Sequence, residues 1–134
     1  MKEIWLIRHA ESAANAGAVT SSPETIPLTE KGLQQARRVA AWFDKQPDII
    51  AVSRYVVITH GQFIKAMMWL WWHKVEHNER ESMSAFRAFM QGIGVPNAAI
   101  VKIRLMPNED ELYFSGVNTS HLSSNLITPN KSFE

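Results

Sequence analysis

Two histidines carry the chemical interest of this sequence, and each stands directly after a short apolar run. Arg8-His9 follows Ile4 to Ile7, and His60-Gly61 follows Val56-Val57-Ile58-Thr59. Runs of this kind read as buried β-strands, and ligands in open α/β sheets sit beyond the carboxyl ends of the strands. If the two strands are neighbours, both imidazoles reach one point. A helix beginning just after His60 adds backbone N–H donors and the positive end of its dipole. Arg8 adds a forked cation suited to phosphate oxygens. Such a set describes an anion site with an imidazole at its floor. An imidazole there can attack phosphorus, giving a phosphohistidine that water later hydrolyses.

The composition narrows the classes this chemistry can belong to. The chain has 134 residues, 46% of them hydrophobic and 20% charged, which suits one packed domain. Fourteen Lys and Arg against thirteen Asp and Glu leave a net charge of +1, so there is no basic field for nucleic acid. With no cysteine in the chain, disulfides, a thiol nucleophile, Cys-ligated zinc and iron–sulfur centres are excluded. The apolar run at Ile4 is too short for a signal peptide. The longest such run, Ala66 to Trp72, is seven residues, against roughly 20 needed to span a bilayer. A soluble, cytoplasmic protein with no nucleic-acid or membrane partner is the expectation.

The elements that must position the two histidines can be read in order. Ala10 to Pro27 is small, polar and turn-rich, a long loop of the kind that is usually functional or disordered. Thr29 caps a helix, Glu30 favours its positive end, and Leu33, Ala36, Val39, Ala40 and Phe43 make its apolar face. Pro47 ends it. Ile49 to Val52 and Val56 to Thr59 read as a second and a third strand. Gln62 to about Val75 is a helix apolar almost all round, and Ser82 to Gln91 a shorter one with Gly92 as its stop. Ala99 to Met106 and Glu111 to Ser115 flank a polar turn and predict an antiparallel hairpin. The last fifteen residues are expected to fray, apart from Leu122. The order predicts an α/β three-layer sandwich: a mostly parallel central sheet flanked by helices, with the hairpin at its C-terminal end.

With these residues in view, the sequence resembles the histidine phosphatase (phosphoglycerate mutase-like) superfamily. Leu6-Ile7-Arg8-His9-Ala10-Glu11-Ser12 resembles its R-H-G-E signature, with Ala10 in place of Gly, and Asn15 matches an Asn a few residues on. Leu28 to Ala36 resembles L-T-x-x-G-x-x-Q-A, Val57 to Gly61 the second-histidine strand, and Pro96 to Ile100 a P-N-x-x-I stretch. The resemblance implies that His9 is the phosphate-accepting nucleophile. It implies that Arg8 and His60 hold the phosphoryl oxygens, with Asn15 and the Gly61 N–H adding hydrogen bonds. No metal or cofactor is called for.

The sequence departs from that family in two places. The family follows its second strand with S-P-x-x-R-A, and later supplies a carboxylate that protonates the leaving group. Here Ser53 is followed by Arg54-Tyr55 and at once by the His60 strand. Arg54 is not at the family's arginine offset, and Glu11 matches a signature residue rather than the acid. Two adjacent parallel strands also need a crossover of about a dozen residues or more, and Ile49 to Thr59 offers none. A single domain over residues 1–134 is expected, with a segment missing or deleted near 53–54. One long strand from Ile49 to Thr59 is the alternative.

The expected activity is therefore phosphomonoester hydrolysis through His9, on a small phosphorylated substrate of unspecified identity. A phospho-ligand binding module of the same fold is the alternative, and mutase action a lesser one. His73-Lys74-Val75-Glu76-His77 spells H-x-x-E-H, a zinc-peptidase pattern. It lies in a polar run, which favours a solvated surface. Asn97 is read as ordering the Pro96 turn, and His121 as packing or capping near the C-terminus. The Trp69, Trp71 and Trp72 cluster is read as core or as the contact of a homodimer.

Overall fold

Strand β1 (Lys2–Arg8) lies inside a four-stranded sheet of order β2-β1-β3-β4, with β2 at Ser53–Thr59, β3 at Ile100–Leu105 and β4 at Leu112–Asn118. The structure is a computed structural model that describes residues 1–48, 52–73, 80–108 and 112–129. Three helices complete the order: α1 (Glu30–Asp44) between β1 and β2, then α2 (Gly61–His73) and α3 (Arg80–Gly92) between β2 and β3. Short 3-10 turns lie at Pro23–Thr25 and Ser124–Leu126. Among the described residues, no helix is long and apolar enough to cross a membrane.

The sheet is mixed, which corrects the expectation of a mostly parallel one. Only β1 and β2 run parallel; β1–β3 and β3–β4 are antiparallel. The reason is connectivity. A parallel pair needs a long crossover, which α1 supplies between β1 and β2. β3 and β4 pair antiparallel, as their sequence predicts, and β3 lies antiparallel beside β1. Of the expected strand at Ile49–Val52, residues 49–51 lie outside the described residues, and Val52 is not in a strand. Instead β2 starts at Ser53 and runs without interruption through Arg54 and Tyr55 to Thr59.

Strand alternation divides the core between two faces. Leu6 packs with Ile64 and Met68 of α2 and with Val95, Ala99, Val101 and Ile103. Trp5 points the other way, its ring 4.9 Å from Trp42 and 5.3 Å from Phe43 of α1. Each fully buried aliphatic of this kind contributes about 1.5–3 kcal/mol of transfer free energy. The sheet edge is less covered: Tyr55, Val56, Val57 and Ile58 of β2 are exposed, as are Phe63, Leu70 and Trp72 of α2.

The C-terminal segment does not fray as expected over the residues described. Leu122 and Leu126 pack on Ala98 and Val39. Leu126 also accepts a hydrogen bond at 2.7 Å from the buried Gln35 Nε2. One amide of α1 thus anchors a polar-looking tail, a contact that no local pattern reveals. Of the tryptophans, Trp69 is buried, while Trp72 is half-exposed and edge-on to Phe89 and Phe114.

Candidate active site

The parallel pairing of β1 with β2 sets the register Arg8↔Thr59. The residues just beyond those strand ends, His9 and His60, therefore leave the sheet side by side. His9 N–H donates to the Thr59 carbonyl at 2.9 Å, holding the two exits together. The imidazole centroids are 5.0 Å apart, edge to face. His9 Nδ1 lies 2.8 Å from the Ala10 carbonyl oxygen. A carbonyl only accepts, so Nδ1 carries the hydrogen and the lone pair of the neutral ring is on Nε2.

Arg8 stands beside the pair. Its Nη1 donates to the Val95 carbonyl at 2.5 Å, and its Nε is buried with no hydrogen-bond partner among the described residues. Burial pushes the guanidinium down from its ordinary value, yet an arginine stays charged in a protein. Gly61 permits this placement: a Cβ there would stand 3.1 Å from Arg8 Cδ and Nε. Gly61 also opens α2, and the first N–H groups of a helix have no intrahelical acceptor. A half-buried cation, two imidazoles and a helix N-terminus thus meet at one end of the sheet.

The loop bearing His9 is braced from several sides. Asn15 Oδ1 accepts from Ser12 N and Oγ, each at 3.1 Å, and from Asn97 Nδ2 at 3.2 Å. Asn97 Nδ2 also donates to the His9 carbonyl at 3.0 Å, and its own N–H donates to Thr128 Oγ1 at 2.8 Å. Asn97 therefore does more than order a turn: it ties the His9 backbone to Asn15. The next residue, Ala98, has φ 61°, a left-handed conformation that costs a non-glycine residue about 1–2 kcal/mol. It is held there by its N–H, which faces the Arg8 and His9 carbonyls at 3.0 and 3.3 Å. Its own carbonyl accepts from His121 Nε2 at 2.9 Å.

The Leu28–Ala36 motif proves to be scaffolding for the same loop. Thr29 Oγ1 accepts from Gly32 N at 3.0 Å as the helix cap and donates to Glu11 Oε1 at 2.8 Å. A Cβ on Gly32 would lie 2.0 Å from the Glu11 carbonyl oxygen, so only glycine lets α1 approach. Gln35 is fully buried, with Oε1 accepting from Glu11 N at 2.8 Å.

Other residues singled out by the sequence fall elsewhere. Arg54 is near the opposite end of β2 from His60, with its Nη1 on the Pro47 carbonyl at 2.6 Å. Its Nε is 3.4 Å from Glu3 Oε1, a charge contact without hydrogen-bond alignment. The H-x-x-E-H stretch is not placed: residues 74–79 and the His73 side chain lie outside the described residues. Sequence reasoning passed over Lys65, which is 7% exposed on α2; a lysine in a wholly apolar stretch was the available signal.

The family described as histidine phosphatase superfamily (branch 1) matches residues 4–55, a match that ends at Tyr55, short of His60. The adenosylcobalamin/alpha-ribazole phosphatase of Salmonella typhimurium (strain LT2) is 25% identical over 118 residues, covering 88% of this chain and 44% of that protein. The chain thus spans less than half the length of that relative. A phosphoserine phosphatase from Entamoeba histolytica, solved with 3-phosphoglyceric acid, shares the fold with TM-score 0.51 and 16% identity, over 92% of this chain and 100% of that one.

Proposed function

We propose that this chain, whose residues 4–55 match the histidine phosphatase superfamily (branch 1), is a phosphomonoester hydrolase of that superfamily with His9 as nucleophile. The observation that carries this reading is the 5.0 Å separation of the His9 and His60 rings beside a half-buried arginine whose buried Nε has no partner among the described residues. The His9 Nε2 lone pair attacks phosphorus in line, the P–O ester bond breaks, and the leaving oxygen takes up a proton. Water then attacks the phosphohistidine, the N–P bond breaks, and inorganic phosphate departs. Arg8, His60 and the Gly61 N–H hold the phosphoryl oxygens as negative charge builds in the transition state. Asn15 shapes the same pocket through Asn97. The substrate is a small phosphorylated molecule.

Among the described residues, two charged side chains that could serve a leaving group are engaged elsewhere. Glu11 is engaged by the Thr29 hydroxyl, and Arg54 is committed at the far end of β2. Without general acid assistance, turnover falls by about 10²–10⁴-fold. A phospho-ligand binding module is the second reading, favoured by those two engagements. Hydrolysis of p-nitrophenyl phosphate by the intact chain, compared with His9→Ala, separates the two. Slow turnover abolished by the substitution supports the hydrolase; phosphate binding with no turnover in either protein supports the module. Absence of both binding and turnover in the intact chain would sink the proposal.

A further inference from the structure

Lys65 lies one turn after Gly61 on α2, and residues four apart share a helix face. That face meets Arg8, since Gly61 is packed directly against the Arg8 side chain. Lys65 is itself buried, and its Nζ donates to the Met90 carbonyl at 2.9 Å. Met90 is in the last turn of α3 (Arg80–Gly92), where carbonyls lack intrahelical donors and the helix dipole is negative. The ammonium therefore satisfies an orphaned carbonyl at the favourable end of α3. Five residues beyond Met90 the chain reaches the buried Val95, whose carbonyl accepts from Arg8 Nη1 at 2.5 Å. Arg8 touches Gly61, Gly61 leads up α2 to Lys65, Lys65 holds the end of α3, and the end of α3 returns to Arg8.

We propose that Lys65 is a positioning residue for the Arg8 guanidinium, fixing the Val95 carbonyl through the C-terminal turn of α3. The inference rests on the reading of Arg8 as a phosphate ligand and extends it to a residue that does not touch the substrate. Burial, and after it the Arg8 charge, push the Lys65 ammonium down from its ordinary value. A phosphate dianion on Arg8 relieves that repulsion, and Lys65 thereby favours the loaded site as well as shaping the empty one.

The test is inorganic phosphate titrated calorimetrically into the intact chain, Lys65→Met and Lys65→Arg. Losing one charge-assisted hydrogen bond predicts about tenfold weaker phosphate binding by Lys65→Met, with Lys65→Arg close to the unsubstituted protein. A merely structural role would lower the fraction of molecules that bind and leave the Kd of the remainder unchanged. That outcome overturns the inference, as does a Lys65→Met Kd equal to that of the intact chain. If Lys65→Met does not fold, the readout is the Lys65 side-chain ¹⁵N resonance of the unsubstituted protein. A shift on saturation with phosphate supports the inference, and an unmoved resonance overturns it. An intact chain that takes up no phosphate overturns the functional reading and this inference with it, whereas binding unaffected by Lys65→Met overturns this inference alone.

Discussion

Replacing Gln35 with leucine separates scaffolding from chemistry at this site. The Gln35 side chain is fully buried and bridges two segments that are remote in sequence, accepting from Glu11 N at 2.8 Å and donating to the Leu126 carbonyl at 2.7 Å. Leucine fills nearly the same volume, so the cavity left is small. Two backbone groups lose their partners. The Leu126 bond is buried, and its loss costs about 1–3 kcal/mol; the Glu11 amide is half-buried and adds roughly 1. The sum, about 2–4 kcal/mol, is a large share of the roughly 5–15 kcal/mol that holds a domain folded. For a chain of this length, 1 kcal/mol moves the midpoint by about 4 °C, so Tm is expected to fall by roughly 8–16 °C. Thermal unfolding followed by circular dichroism reads this directly. The phosphate Kd of the folded fraction at low temperature is expected to stay within about threefold, since Gln35 braces Glu11 and not the Arg8 guanidinium. A Gln35→Leu protein that melts with the unsubstituted one would refute the bridge.

Three further outcomes follow from named contacts. Gly61→Ala places a methyl 3.1 Å from Arg8 Cδ and Nε while Val95 pins the guanidinium. Phosphate binding should weaken about tenfold with little change in Tm, and calorimetry checks both. Glu3 is buried, which raises its pKa, but the Trp5 N–H, Arg104 and Lys102 together outweigh that, and the net direction is downward from 4.5. A depressed carboxylate stabilises the fold above its unfolded pKa and loses that contribution as pH falls through the lower folded value. Glu3→Gln should therefore flatten the acid limb of a stability–pH curve below 4.5; an unchanged limb would refute the assignment. His121 is pushed down from 6.5 by burial, with the Ala98 hydrogen bond opposing. The unfolded chain thus binds the proton first, and stability should drop as pH falls below 6.5. His121→Gln should remove that drop in urea titrations at two pH values.

How far the sequence anticipated the structure depends on the range of the forces involved. Arg8-His9 and His60-Gly61 were legible because each follows an apolar strand and precedes a loop or helix start, and such signals are local. Thr29 as a cap was legible for the same reason. The antiparallel entry of β3 beside β1 was not, because Ile100–Leu105 has the same alternation whichever way it pairs. The docking of Leu126 depends on Gln35, ninety-one positions away, and no composition of the tail announces it. Asn97 looked like a turn residue beside Pro96, yet its amide spans the His9 carbonyl and Asn15. The Leu28–Ala36 motif could be matched by pattern, but its purpose needed coordinates. Gly32 and Gln35 serve the backbone of Glu11.

The most direct measurement is a crystal structure of the chain grown with orthovanadate. A tetrahedral or trigonal-bipyramidal vanadate should appear between the His9 and His60 rings, with His9 Nε2 on vanadium and Arg8 on an equatorial oxygen. Vanadate bound elsewhere, or rings of His9 and His60 turned away from an empty space between them, would contradict the reading of His9 as the nucleophile.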